Sequence, residues 1–312
     1  MALQYAGHEM VAAGFWRRSL AFVVDTLVLG AVGAFIGWVL YNWLISVGPS
    51  ALLIGFAVSL VYFGVMDSHL GQGRTLGKRL LRVCVVDGGG HFLSVSRAML
   101  RFTVLGVPYF LARWVMPPHT PGWVLALHSL GTVGIGLSLA YLYIFNYRTR
   151  QSLHDVITRA YVISTDPDED AVPAVPLWRG HLVIIALICM YTFGAPYLVQ
   201  GNIRPLVSAM RPFFQQVQAA PHVMSASINV NKVSNSDQST VRYVTAQVRL
   251  DNSSIEDPEL AYRVAQLLTY RNTYIVEGDR VAVKLTCGFD IGIASWWVSD
   301  TYRYTADEGP KS

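Results

Sequence analysis

Long apolar runs separated by short polar stretches fill the first two-thirds of the chain. Residues 19–47 carry a single formal charge, Asp25, and residues 51–66 carry none. Residues 102–116 carry Arg113 alone, and 122–146 and 182–203 are uncharged. A helix needs about 20 mostly apolar residues to cross a bilayer. The pattern predicts a bundle of about five transmembrane helices, near 19–47, 51–66, 102–116, 122–146 and 178–203, of which the second and third are short. A cleavable leader is the competing reading of the first run, but that run is too long for a signal h-region and no small-x-small site ends it.

Beyond residue 203 the period changes to two. Ala226, Ile228 and Val230 alternate with Ser227, Asn229 and Asn231, and Val244, Ala246, Val248 and Leu250 with Thr245, Gln247 and Arg249. Such alternation marks half-buried strands, here joined through the polar run SNSDQS. Asp257 as N-cap and Pro258 at the first helical position open a helix with Leu260, Val264, Leu267 and Leu268 on one face. Val281, Val283, Leu285, Cys287 and Phe289 alternate again, and a last strand runs near Trp297–Tyr304. The expectation is a small ββαββ domain of the α+β class over 204–312: one helix on one face of an antiparallel sheet. The acidic, proline-bearing residues 166–177 read as a linker.

Charge refines this picture. Only 14% of the 312 residues are charged, against about 25% in an average soluble domain. The formal net charge is +4, and residues 204–312 hold 11 cations and 11 acids, so the excess lies in the apolar part. A neutral C-terminal domain is a poor nucleic-acid binder, and no nucleic-acid partner is expected. Cations cluster in alternate loops: Arg17 and Arg18 before the first run; Arg74, Lys78, Arg79, Arg82, Arg97 and Arg101 between the second and third; Arg148, Arg150, Arg159 and Arg179 between the fourth and fifth. By the positive-inside rule these loops are cytoplasmic. Five spans then leave the amino terminus inside a cell (inner) membrane and the C-terminal domain outside. Three cysteines in three environments, Cys84, Cys189 and Cys287, make no disulfide framework and no metal spacing.

The densest basic stretch is RTLGKRLLRVCVVDGGG, residues 74–90. It is not a phosphate loop: Gly71 and Gly77 are one residue too far apart, and Arg79 stands where Ser or Thr would bind magnesium. Thr75–Leu81 is expected to lie along the membrane surface with Arg74, Lys78, Arg79 and Arg82 toward lipid headgroups. Val83–Val86, the turn Asp87–Gly90 and His91–Val95 are expected to form a hairpin.

Three blocks in order carry a resemblance. GFWRRSLAFVVD (14–25) contains an R-x-x-A-x-x-x-D pattern at Arg18, Ala21 and Asp25. MDSHLGQGRTLGKRLLRVCVVDGGGHFLSVSRAMLR (66–101) contains an aspartate, a T-L-G-K-R-L loop, a V-V-D turn and an R-x-x-x-R segment, and RTRQSLHDVITRAYVI (148–163) contains L-H-D. Together they resemble the RDD family of membrane proteins across roughly residues 10–165. Arg74, inserted between Gly73 and Thr75, departs from the usual G-Q-T. The resemblance implies a membrane domain; for some members cation/proton antiport is claimed.

Charges inside the apolar runs are the chemical lead. Arg18 and Asp25, seven residues apart, share one helix face about 10 Å apart along the axis. Asp67 ends the second run on the same side, so the three are expected to meet. A charge at membrane depth costs at least about 2.5–3.5 kcal/mol, so it is usually paired or lines a water path. The cluster reads either as an ion-pair clasp between helices or as a cation or proton site on Asp25 and Asp67. His69 could tune it; Arg113 reads as an anchor within the third run, and His128 as packed or as part of a relay. His154 and Asp155, adjacent on a helix, read as a cap or loop anchor rather than a dyad. In the C-terminal domain Trp296, Trp297, Tyr302 and Tyr304 form either a docking patch or a lid on the core. No catalytic or metal arrangement and no cofactor motif stands out. The expected role is non-enzymatic: a scaffold or accessory subunit of a membrane complex, bound to the bilayer and to a membrane partner or a second copy, with secondary cation/proton antiport as the alternative.

Overall fold

The computed structural model describes residues 4–5, 8–9, 11–117, 120–165, 177–234, 240–269 and 280–305. The chain divides into two compact units, residues 1–34, 52–200 and 291–294, and residues 35–51, 201–290 and 295–312. The linker and the SNSDQS loop fall largely outside the described residues.

In chain order the elements begin with a two-residue hairpin, β1 (Gln4–Tyr5) and β2 (His8–Glu9), and the 25-residue helix α1 (Phe15–Val39). α2 (Tyr41–Val47), a 3₁₀ turn at Gly48–Ala51 and α3 (Leu52–Met66) follow. Next come α4 (Leu76–Leu80), β3 (Val83–Asp87) and α5 (Val95–Ala112). α6 (Gly122–Ser129) runs through a π turn at Leu130–Gly134 into α7 (Ile135–Phe145). α8 (Leu153–Thr158) and β4 (Ala160–Ser164) close the stretch.

Among the described residues, four helical stretches are long and apolar enough to cross a membrane: Phe15–Val39, Tyr41–Met66, Gly122–Phe145 and Arg179–Val199. The first expected run breaks at Leu40, so residues 41–47 join the second stretch instead. The third differs most. Ser94 caps the helix early, accepting from Arg97 N at 3.4 Å, so α5 starts seven residues before the apolar run and takes Arg97 and Arg101 into its first two turns. Arg113, expected inside a span, is instead the C-cap of α5, its guanidinium carbon 5.4 Å from the Tyr109 ring centroid.

Aromatic stacking joins α3 to α5 in the first unit. Phe63 lies parallel to Phe102 at 4.9 Å, and Phe56 meets Phe110 edge-on at 5.4 Å. Hydrogen bonds tie in the membrane part of the next long helix: Ser129 Oγ donates to Thr192 O at 2.7 Å, and Tyr141 Oη lies 2.9 Å from His181 Nδ1. Ile291–Ala294 belong to this unit too. Tyr109 Oη donates to Gly292 O at 2.6 Å, and Gly55 is obligatory, because a Cβ there would lie 1.7 Å from Ile291 O.

The basic stretch departs from expectation. β3 pairs antiparallel with β4 over five residues rather than with residues 91–95, which contribute only a single bridge, Leu93 to Ser68. Val83 and Val85 are fully buried with Ala160 and Val162, so each strand's apolar surface needs the other. The turn itself forms as expected, with Gly89 N and His91 N donating to Asp87 Oδ1 at 2.8 and 2.9 Å.

The second unit takes in the carboxyl-terminal turns of α9 (Arg179–Gln218), then β5 (Val223–Ser234), β6 (Thr240–Leu250), α10 (Pro258–Thr269), β7 (Arg280–Asp290) and β8 (Ser295–Thr305). The sheet order is β5-β6-β7-β8. The ββαββ order holds, and Asp257 caps α10 by accepting from Leu260 N at 2.8 Å. The all-antiparallel expectation does not hold: β6 and β7 are parallel. They are joined through a helix rather than a tight turn, and a helical crossover returns the chain in the same direction. Val244, Val248, Leu268, Val281 and Leu285 form the core, and Phe213 and Val217 of α9 close it. Tyr302 and Tyr304 pack against that core, whereas Trp296 and Trp297 are 61% and 44% exposed. The four aromatics are thus half lid and half open surface.

Candidate functional site: a buried charge cluster

Six charged side chains converge at one end of the first unit. They come from α1 (Arg18, Asp25), the end of α3 (Asp67), α4 (Lys78), α5 (Arg101) and α8 (Asp155). All are nearly sequestered: Asp25, Asp67 and Asp155 are 1%, 1% and 0% exposed.

Arg101 is the centre. Its Nε and Nη2 donate to Asp155 Oδ1 at 2.9 and 2.7 Å, and Nη1 donates to Asp67 Oδ2 at 2.7 Å. The planar fork suits this, since one guanidinium presents five fixed donors. The other Asp67 oxygen receives Lys78 Nζ at 2.5 Å, and the other Asp155 oxygen receives Arg18 Nη2 at 2.6 Å. Asp155 also accepts from Ser152 N at 3.2 Å, which makes it the helix cap expected as well as an ion-pair partner.

Asp25 is held differently. Tyr62 Oη and Gly77 N both donate to Oδ1 at 2.8 Å, and Thr75 Oγ1 donates to Oδ2 at 2.5 Å. Gly77 is essential to that approach, since a Cβ would lie 2.0 Å from Ala21 O and 3.1 Å from Asp25 Cγ. The T-L-G-K motif thus has a physical reading. Thr75 caps α4 and binds Asp25, Gly77 brings the backbone up to Asp25, and Lys78 turns inward to Asp67.

Three sequence expectations change here. Arg18 and Asp25 lie on one helix but do not pair; Arg18 reaches Asp155 and the Arg150 carbonyl. Lys78 is not lipid-facing: it is 9% exposed because the Asp67 carboxylate draws it in, while Arg79 and Arg82 remain exposed and Arg74 is half-buried. Arg101, which sequence reasoning took as a loop cation, is the hub. His69 is exposed and outside the cluster, and His128 Nε2 lies 3.0 Å from Leu111 O, a packing contact between α6 and the end of α5.

Electrostatics follow from burial and pairing. Burial alone would raise Asp155, but the guanidinium groups of Arg101 and Arg18 outweigh it and hold the carboxyl well below the usual range. Burial pushes His154 down to about 3 despite the adjacent Asp155, so the imidazole is neutral at physiological pH. Its Nε2, 3.1 Å from Arg101 Nη2, therefore accepts, which leaves the proton on Nδ1. That nitrogen is buried and makes no hydrogen bond. Burial lowers Lys78, and Asp67 partly restores it. With His154 neutral, three cations face three carboxylates. Among the described residues no group of three or more His, Cys, Asp or Glu could hold a metal ion.

Comparison with known proteins agrees with the motif positions. The RDD family model matches residues 12–159. The chain is 23% identical over 162 residues to the uncharacterized protein YckC of Bacillus subtilis, covering 52% of this chain and 91% of that protein. It is 28% identical over 112 residues to the uncharacterized Bacillus subtilis protein YxaI, covering 29% of this chain and 73% of that protein. No solved structure matches. The buried cluster, with its ligands drawn from all three motif blocks, lies inside the matched region: residues 12–159 are an RDD-family membrane domain.

Proposed function

We propose that the protein is a non-enzymatic membrane scaffold or accessory subunit, its RDD domain clasped by the charge cluster and its α+β domain carried outside the cell (inner) membrane. The observation that supports this is the saturation of the cluster. Every oxygen of Asp25, Asp67 and Asp155 receives a fixed protein donor at 2.5–2.9 Å or 2.6 Å. A carboxylate that exchanges a cation must release such donors. A buried pair costs about 3–5 kcal/mol when one partner is removed, a large fraction of a typical 5–15 kcal/mol stability.

On this reading α5 is a fifth, short span. At about 1.5 Å per residue its 18 residues are about 27 Å long, and only the apolar part after Arg101 would lie in hydrocarbon. The basic loops then lie in the cytoplasm. Cysteine labelling in intact cells should find sites near Ser94 protected and sites near Thr245 accessible; labelling of both from one side contradicts the five-span arrangement. The exposed Trp296 and Trp297 are the surface through which the domain would assemble. Blue-native electrophoresis of gently solubilised membranes should show a discrete assembly larger than the monomer, which Trp296→Ser with Trp297→Ser dissolves. A monomer in both cases contradicts the scaffold.

Antiport remains the second reading because a cavity borders Asp25 and Asp67; transport through it would use those two carboxylates.

A further inference from the structure

We propose that the cavity beside the charge cluster binds a single-chain anionic amphiphile, its acid head on the cluster and its hydrocarbon chain against the phenylalanine side chains. The proposal goes beyond scaffolding and does not depend on it. The cavity has a volume of about 440 Å³ and lies within the RDD domain, inside the ~300–1,000 Å³ range of small-molecule sites. Its lining includes the charged or polar Arg18, Lys78, Arg101 and His154 and the aromatic Phe22, Phe63 and Phe102, with Lys78 Nζ 5.7 Å from the Phe63 ring centroid.

The polar lining has more donors than acceptors. Arg18, Lys78 and Arg101 line the cavity together with Asp25 and Asp67, while Asp155, the ion-pair partner of Arg18 and Arg101, is not among the lining residues. Asp67 already holds a cation on each oxygen, and Asp25 holds three neutral donors. An ammonium has three donors and a guanidinium five, of which Lys78 gives one to Asp67 and Arg18 gives one each to Asp155 and the Arg150 carbonyl. His154 lines the cavity as well, although its partnerless Nδ1 is itself buried. A buried donor left unmet costs about 1–3 kcal/mol, so the complementary head is rich in acceptor oxygens and negative: a carboxylate or a phosphate ester. The rest of the lining selects hydrocarbon. Phe22 and Val23 line the cavity yet are 46% and 52% exposed, so it reaches the outer face of α1, where lipid chains would lie.

Gly136 supplies a control. It lines the cavity, and a Cβ there meets only Pro108 Cβ at 3.7 Å, an ordinary contact. Gly136→Phe should fill the space without touching a charge, and replacing a helical glycine favours the helix. The test is native mass spectrometry of the full chain in a nonionic detergent, titrated with palmitate, palmitoyl lysophosphatidylglycerol, palmitoyl lysophosphatidylcholine or inorganic phosphate. One anionic amphiphile should bind per chain at least tenfold more tightly than the phosphatidylcholine analogue, and phosphate alone should not be retained. The ratio of palmitate to lysophosphatidylglycerol identifies the head. Gly136→Phe should reduce binding at least tenfold with unchanged melting. Equal affinity for the zwitterionic and anionic amphiphiles overturns the proposal, as does phosphate binding alone or wild-type affinity in folded Gly136→Phe. The wild-type head-group comparison decides by itself should the variant not fold.

Discussion

Arg101→Lys separates a charge from a geometry. The substitution keeps the positive charge, so if the cluster required only electrical balance, little would change. The structure requires more. Arg101 makes two donor contacts to Asp155 and one to Asp67, from a guanidinium whose side chain is 6% exposed. An ammonium cannot reproduce the two-pronged contact to Asp155 while still reaching Asp67. Hydrogen bonds to charged groups contribute about 1.5–3 kcal/mol each. Asp155 keeps Arg18 and Asp67 keeps Lys78, so the network loosens without leaving a bare carboxylate. The expected loss is about 3 kcal/mol, below the upper end of the ~3–5 kcal/mol for breaking a buried pair outright. For a cooperative unit of about 150–250 residues, the size class of the first unit, that is a fall of about 6–12 °C in Tm. Thermal unfolding of the full chain in detergent, followed by circular dichroism, measures it. A Tm within about 1 °C of wild type would refute the claim that fork geometry holds the cluster.

Other perturbations have equally definite outcomes. A double-mutant cycle of Arg18→Gln with Asp155→Asn should show coupling above about 1.5 kcal/mol, whereas Arg18→Gln with Asp25→Asn should be additive within about 0.5 kcal/mol; the reverse would restore the pairing expected from sequence. His154 has a folded pKa near 3, below its ordinary 6.5. The unfolded state therefore binds more protons between those values, and stability should fall as pH drops through 6.5 toward 3, by up to about 1.4 kcal/mol per unit. His154→Gln should flatten that slope in melts at pH 5 and 7; an unchanged slope assigns it elsewhere. Gly77→Ala places a methyl 2.0 Å from Ala21 O and should lower Tm more than Gly136→Ala, whose Cβ has room; equal effects would remove the packing argument. Expressed alone, segment 206–305 should be soluble and melt cooperatively, and 220–305 should not, because only the longer one keeps Phe213 and Val217 in the core; equal melting would show that the α9 turns are dispensable.

Features set by near neighbours were legible in the sequence. Asp257 caps α10 because cap and helix start lie three residues apart, and β6 and β7 bury Val244, Ala246, Val248, Val281, Val283 and Leu285 on one face because the strand period is two. The convergence of Asp25 and Asp67 at one end also followed, from helix length and the return of the second apolar run. Pairing choices did not follow. Arg18 and Asp25 do share α1, but a helix face presents several partners, and Asp155, 137 residues away from Arg18, is nearer its guanidinium. Arg101 looked like a loop cation because the apolar run begins after it; the Ser94 cap draws it into the helix instead. Lys78 reads as a surface cation until Asp67 is placed beside it. The parallel β6–β7 pair depends on which way a crossover helix turns back, which alternation does not encode. Nor does composition reveal that Ile291 and Gly292, in a polar-flanked turn, are buried against Gly55 and Phe110.

The account rests on the cluster being a clasp and not a conduit, and cation-driven proton flux in proteoliposomes tests that most directly. Purified full-length protein should show no flux above empty vesicles under an imposed sodium or potassium gradient, and Asp25→Asn should lower Tm while leaving the flux at that background. Robust flux in the wild type, abolished by Asp25→Asn with Tm unchanged, would contradict the account and make the carboxylates a transport site.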